Sequence, residues 1–140
     1  MKLKEADMNQ VVIDYFQSKG YIAFEQVKAG QKRIDLYFVN RNYPKTIAVE
    51  LKIRKWKDVF IQALQNRNYA QKSYIGMWHD YLNEEKNEIF REHGIGILKI
   101  FSDRMELVSL PGNDYTGITP SVEKILLTSC MDQEQFLWSD

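Results

Sequence analysis

The chain has 140 residues, of which 44% are hydrophobic, and its 19 basic residues balance its 19 acidic ones. This composition predicts one globular domain over residues 1–140, soluble and cytoplasmic, because no apolar run reaches the roughly 20 residues of a membrane span and the N-terminal residues lack the apolar core of a signal peptide. The single cysteine, Cys130, excludes an internal disulfide, and with two histidines it makes no spaced zinc site. We expect Cys130 to be a buried, small apolar residue.

The neutral total conceals an uneven distribution of charge along the chain. Residues 28–72 contain eleven basic and three acidic residues, a net charge of +8, whereas residues 1–27 sum to −1 and residues 73–140 to −7. A basic middle part of this kind favours contact with a nucleic-acid backbone.

Hydrophobic periodicity predicts an amphipathic helix over 7–19, a hairpin of two strands over 21–28 and 33–40, and a third strand over 46–53. In the second strand, alternation predicts one face with Ile34, Leu36 and Phe38 and another with Asp35, Tyr37 and Val39. The second half of the chain follows in order: a helix over 57–71, a strand over 73–78, a helix over 80–93, strands over 95–101 and 105–110, and a helix over 121–128.

This order predicts an α/β fold in which a mixed β-sheet is flanked by helices. The strand-helix-strand unit around residues 57–71 favours a parallel strand pair, and the hairpins favour antiparallel pairs.

Three charged residues lie on two neighbouring predicted strands: Asp35 in the hairpin, and Glu50 with Lys52 on the third strand. An ionised carboxylate on an apolar strand is costly unless it is paired or binds a metal. Two such carboxylates would form an all-oxygen site suited to Mg²⁺, with Mn²⁺ as a substitute. Lys52 would lie beside the ion, where it could orient or help to deprotonate a metal-bound water, or neutralise charge on the transition state.

The spacing of Asp35 and the Glu50-Leu51-Lys52 tripeptide resembles the PD-(D/E)XK nuclease superfamily, whose restriction-endonuclease-like fold has an αβββαβ core. The resemblance covers about residues 7–78, with residues 79–140 as C-terminal α/β additions, and Ile34 replaces the proline of the motif. Gln65 and Tyr69 are similar to the Q-x-x-x-Y element of RecB-like members.

The resemblance implies a divalent-metal-dependent nuclease that hydrolyses phosphodiester bonds, with DNA as the expected substrate and 5′-phosphate and 3′-hydroxyl ends as products. Asp35 and Glu50 would bind the metal with the backbone carbonyl of Leu51, Lys52 would position the attacking water, and Gln65 would help to orient it. Some superfamily members carry a metal-binding carboxylate on the first helix, which makes Glu5 a further candidate.

Basic and aromatic residues around these positions are candidates for nucleic-acid binding. Lys55 and Lys57 would contact phosphates, and Trp56 would either pack beneath them or stack on a base. The complete set of expected nucleic-acid contacts is Arg33, Lys55, Trp56, Lys57, Arg67 and Tyr69.

Several of these residues also have an ordinary structural interpretation. Asp35 and Lys52 could form a cross-strand ion pair with Glu50 exposed to solvent, and Glu5 could be a solvated acid at a helix start. Gln65 and Tyr69 could be a helix surface pair, with Tyr69 in the core. His79 and His93 have no metal-spaced partner and are expected at the surface or at helix ends.

Two other functions stay open on the sequence: a non-catalytic nucleic-acid-binding or assembly module on the same fold, and a structural sandwich with an incidental ion pair. The choices between endonuclease and exonuclease and between DNA and RNA also stay open. Specificity would come from dimerisation, from the C-terminal half or from a partner protein.

Overall fold

A computed structural model describes residues 3–42 and 44–112 of the chain. The predicted helix over 121–128 and Cys130 lie outside the described residues. The helices are α1 (Ala6–Gln17), α2 (Trp56–Asn66) and α3 (Glu84–Glu92), and the strands are β1 (Ile22–Ala29), β2 (Lys32–Val39), β3 (Thr46–Lys52), β4 (Lys72–Trp78), β5 (Gly96–Ile100) and β6 (Met105–Ser109).

The six strands form one mixed sheet in the order β1-β2-β3-β4-β5-β6. The β3–β4 and β4–β5 pairs are parallel, with α2 and α3 as the crossover helices, and the other three pairs are antiparallel. The carboxyl ends of β3, β4 and β5 therefore meet at the same edge of the sheet. This arrangement confirms the mixed α/β fold and the αβββαβ element order predicted from the sequence.

The helices cover both faces of the sheet because alternate strand residues point in opposite directions. On one face α1 buries Val12 and Phe16 against β2 and β3 residues such as Leu36 and Val49. On the other face α2 and α3 bury Val59, Phe90 and neighbouring side chains against β4 and β5. No helix in the described part of the chain has the length and apolar character needed to cross a membrane.

Two predicted helices differ from the observed ones. The helix predicted over 57–71 ends at Asn66, because Tyr69 and Ala70 pack in a separate apolar cluster beneath the hairpin instead of continuing the helix. The helix predicted over 80–93 starts at Glu84, because the side chain of Asn83 accepts a hydrogen bond from the Lys86 amide at 2.9 Å and caps it. Residues 79–81 form a short 3₁₀ turn.

The alternation predicted for β2 fails at Asp35. Leu36 and Phe38 pack in the cluster under α1, as expected, but Ile34 packs with Tyr37 in the cluster beneath the hairpin. Opposite this point on β1, Gln26 has a left-handed backbone with φ 51°. The irregularity in the edge strand therefore coincides with the position of the acidic residue.

Candidate active site

Asp35 and Glu50 face each other across the β2–β3 pair. The antiparallel register joins Leu36 to Val49, so Asp35 and Glu50 are the next residues toward the carboxyl end of β3. The Oδ2 atom of Asp35 accepts a hydrogen bond from the Leu51 amide at 2.9 Å, which holds its carboxylate over the β3 backbone. The two predicted acidic residues therefore lie side by side.

Glu50 is buried, with 1% of its surface exposed. The pKa of Glu50 is raised to about 7: burial is the largest cause, the charge of Asp35 and a hydrogen bond between the two carboxyl groups act in the same direction, and Lys32 and Asn66 act against them. The expectation that Glu50 faces solvent, which belonged to the surface ion-pair interpretation, is wrong. Glu50 is thus a buried acidic residue in contact with a second one.

Lys52 ends β3 two residues after Glu50, and its ammonium lies 3.7 Å from Glu5 Oε1 at the start of α1. Among the ion pairs of the described residues, Lys52 pairs with Glu5 and not with Asp35, so the cross-strand ion pair considered from the sequence is not formed. The side chain of Lys52 stays 24% exposed at the strand end. It is thus accessible at the edge where the carboxylates lie.

Helix α2 brings Asn66, and not Gln65, into contact with the acidic pair. Asn66 is fully buried and donates a hydrogen bond from Nδ2 to Glu50 Oε1 at 3.0 Å. Gln65 is exposed, and Tyr69 lies beyond the end of the helix, so the shared helical face expected for these two residues does not exist. The role of Gln65 in orienting water stays a prediction.

Lys32 is a second residue of this site that sequence reasoning missed. Its ammonium lies 3.3 Å from Glu50 Oε1 and 3.3 Å from the Gln62 carbonyl oxygen, and it also donates to the side chain of Asn66. The sequence carries a weak signal for it, because Lys32 stands three residues before Asp35 at the hairpin turn. Its contact with α2 depends on the fold.

The residues after Lys52 form a basic surface at the start of α2. A shallow pocket of about 310 Å³ is lined by Arg54, Lys55, Trp56, Lys57 and Asp58. Lys55 and Lys57 are exposed, whereas Trp56 is half-buried and packs edge-on against Phe90 at 6.3 Å between ring centroids. Packing and base stacking were the two roles considered for Trp56, and its contact with Phe90 is a packing contact.

The other predicted nucleic-acid contacts lie in different places. Arg33 is exposed near the hairpin turn and donates to the Gln26 carbonyl at 3.3 Å. Arg67 lies at the opposite end of α2 from Lys55, where it donates to the Leu64 and His93 carbonyls. Tyr69 is half-buried against the cluster beneath the hairpin.

A larger cavity of about 410 Å³ lies away from the carboxylates. It is lined by α1 residues such as Tyr15 and by the first residues of β3 and β4, including Ile47 and Tyr74. This end of the parallel strands is opposite to Glu50 and Lys52. The candidate site therefore lies at the opposite edge of the sheet and not in the larger cavity.

The arrangement suits a divalent cation by the type of its donors. Asp35 and Glu50 offer hard carboxylate oxygens in mutual contact, and Mg²⁺ commonly uses one or two protein carboxylates with waters and substrate phosphate as its other ligands. The described residues contain no group of three or more His, Cys, Asp or Glu side chains arranged for a metal. Glu5, which contacts Lys52, stays a predicted ligand.

His79 and His93 have structural contacts. His79 stacks on Phe101 with 4.4 Å between ring centroids, and His93 is the C-cap residue of α3. The expectation of surface or helix-end positions is confirmed for both.

A comparison with protein-family models and with curated proteins finds no match. Among solved structures, SPO1766, a protein of unknown function from Silicibacter pomeroyi, is similar with a TM-score of 0.75 and 13% identity over 98% of this chain and 91% of that chain. A repair endonuclease from Pyrococcus abyssi is similar with a TM-score of 0.54 and 14% identity over 71% of this chain and 48% of that chain.

The fold is nuclease-like. The chain spans about half the length of the Pyrococcus endonuclease, and both identities are low, so the likeness concerns the fold and not the activity.

Proposed function

We propose that this protein is a Mg²⁺-dependent nuclease that hydrolyses phosphodiester bonds in nucleic acid, with DNA as the expected substrate. The observation that carries the proposal is the acidic pair of the half-buried Asp35 and the buried Glu50, next to the accessible ammonium of Lys52 at one edge of the sheet. A carboxylate pair at this position gains nothing from direct contact with phosphate, which it repels. A cation between the carboxylates and the phosphate removes that repulsion.

Asp35 and Glu50 would hold the metal with the Leu51 carbonyl, and Glu5 would be an additional ligand. The raised pKa of Glu50 supports this assignment, because a divalent ion would stabilise the ionised carboxylate that burial and the charge of Asp35 disfavour. When bound, the ion supplies Lewis-acid polarisation of the phosphoryl group and lowers the pKa of a coordinated water.

The protein's own residues would supply positioning and charge. Lys52 would orient the attacking water and neutralise charge that develops on the phosphoryl oxygens, with Glu5 fixing the position of its ammonium. Asn66 would orient Glu50 through the 3.0 Å hydrogen bond to Oε1. Gln65 is exposed next to Asn66 on α2, and it would contact the water or the phosphate from that position.

The exposed basic residues near this edge would bind the nucleic-acid backbone. Lys55 and Lys57 lie three and five residues after Lys52 in the chain, and Arg33 lies on the neighbouring hairpin. Ionic contacts of this kind position the phosphates without reading sequence. The nuclease-like fold, shared in part with a repair endonuclease, agrees with this proposal.

Metal-dependent cleavage of labelled DNA and RNA tests the proposal directly. We expect Asp35→Asn and Lys52→Met each to lower the cleavage rate by about a hundredfold or more, since each removes a group that stabilises developing charge. Lys19→Met, at the far end of α1, is the matched control and should cleave like wild type. Circular dichroism would establish that all variants are folded.

Cleavage at the wild-type rate by Asp35→Asn or Lys52→Met would contradict the proposal. Salt-sensitive binding without cleavage in either Mg²⁺ or Mn²⁺ would instead identify a non-catalytic nucleic-acid-binding module.

A further inference from the structure

Lys32 is fully engaged by oxygen acceptors of the protein. Its ammonium lies 3.3 Å from Glu50 Oε1 and 3.3 Å from the Gln62 carbonyl oxygen, and it donates to Asn66 Oδ1. An ammonium group has three N–H donors, and these three acceptors account for all of them. Lys32 therefore has no donor left for a substrate phosphate, in contrast to the exposed Lys55 and Lys57.

The acceptor that Lys32 shares with the proposed metal site is Glu50. This carboxylate is buried and receives its hydrogen bonds on Oε1 from Lys32 and from Asn66. The side chain of Lys32 is 20% exposed, so its charge is only partly screened by water. A divalent cation bound to the same carboxylate would lie within a few ångströms of this fixed positive charge and would be repelled by it.

We propose that Lys32 is the built-in counter-ion of Glu50 and competes with the divalent cation for this carboxylate, so that Lys32 sets the metal affinity of the site. The inference rests on the proposed function, because it takes Glu50 as a metal ligand. The inference assigns different roles to the two lysines near the acidic pair. Lys52 interacts with the substrate, whereas Lys32 controls how tightly the site binds its metal.

A purely structural role is the competing explanation. Lys32 links the hairpin to α2 through Gln62 and Asn66, and a link of this kind would stabilise the fold without affecting the metal. That role predicts a less stable Lys32→Met variant with unchanged metal affinity. The counter-ion role predicts a change in affinity that does not depend on stability.

Calorimetric titration of the full-length protein with Mn²⁺ distinguishes the two, with each variant measured in the alkaline range where its affinity no longer rises with pH, because removal of Lys32 raises the pKa of Glu50. We expect Lys32→Met to bind Mn²⁺ about tenfold more tightly than wild type, because the variant lacks a positive charge that would repel a divalent ion at the same carboxylate. Lys32→Arg, which keeps the charge, should bind like wild type. Lys28→Met is the matched control, since Lys28 is an exposed lysine of the same hairpin.

Equal Mn²⁺ affinities of wild type and Lys32→Met would overturn the inference and leave the proposed metal site intact. Absence of Mn²⁺ binding in every variant would contradict the proposed metal site itself.

A measurement on the wild-type protein covers the case in which Lys32→Met does not fold. The rate of reductive methylation of Lys32, followed by peptide mass spectrometry, should rise in saturating Mg²⁺ because the metal displaces the ammonium from Glu50. Methylation of Lys28 should not change. An unchanged rate at Lys32 would overturn the inference.

Discussion

Glu50 is an acidic side chain that the fold buries next to a second acidic residue, Asp35. It is 1% exposed, and its pKa is raised to about 7 by burial and by Asp35, while Lys32 acts in the opposite direction. Its ordinary pKa of 4.5 applies in the unfolded chain. Between these two values the folded protein binds more protons than the unfolded one, so ionisation of Glu50 opposes folding.

The free energy of unfolding of the wild-type protein should therefore contain a contribution that falls as the pH rises from about 4.5 to about 7 and is constant above that range. In Glu50→Gln this contribution should be absent, because the amide does not titrate. Urea denaturation across this pH range measures it. Glu88→Gln, at an exposed position of α3, should keep the wild-type slope, and a Glu50→Gln variant with the same slope would contradict the assignment.

At the scale of elements, strand β1 has its irregular point at Gln26. This residue has φ 51°, in the left-handed region that residues with a side chain rarely adopt, and its Nε2 lies 3.4 Å from Asp35 Oδ1. Arg33 donates to its carbonyl oxygen. The edge strand thus carries backbone strain directly beside the acidic pair, as is common at functional sites.

Gln26→Gly should stabilise the protein by up to about 1 kcal/mol, because glycine adopts positive φ without steric cost. Lys28→Gly, at an exposed position on the same strand without positive φ, should destabilise it by roughly 0.5–1 kcal/mol. Chemical denaturation of the two variants gives the comparison. A loss of stability in Gln26→Gly equal to that in Lys28→Gly would show that Gln26 is not strained.

The elements that were predictable from sequence are those whose patterns arise locally. Alternation and turn residues identified the three strands before α2, and with them the positions of Asp35 and Glu50. The end of α2 was not predictable, because Tyr69 and Ala70 continue an apolar spacing although they pack against the hairpin. The contact of Lys32 with Asn66 joins residues 34 positions apart in the chain. A local sequence pattern cannot predict such a contact.

At the scale of the whole molecule, the fold divides the basic segment over residues 28–72 between two ends of the sheet. Lys52, Lys55 and Lys57 lie at the carboxyl end of β3, near the acidic pair. Lys45 and Lys72 lie at the opposite end, where β3 and β4 begin. The sequence identified the charge excess but not this division, which depends on how the strands run.

Only the first group is expected to contribute to nucleic-acid binding. In an Asp35→Asn background, which prevents cleavage, the pair of changes Lys55→Ala and Lys57→Ala should weaken duplex binding and reduce the slope of log affinity against log salt by about 1.8. The pair Lys19→Ala and Lys45→Ala removes the same charge at the far end and should leave the slope unchanged. Fluorescence anisotropy over a salt series measures both, and equal slopes for the two double variants would contradict the division.

The left-handed backbone of Gln26 in β1 also affects contacts between molecules of this protein. Among the strands of the described residues, the eight-residue β1 is an edge of the sheet, and an edge strand presents a row of backbone donors and acceptors that can pair with a strand of another molecule. The turn of the backbone at Gln26 interrupts that row of donors and acceptors near its middle. Intermolecular sheet extension across β1 is thereby disfavoured.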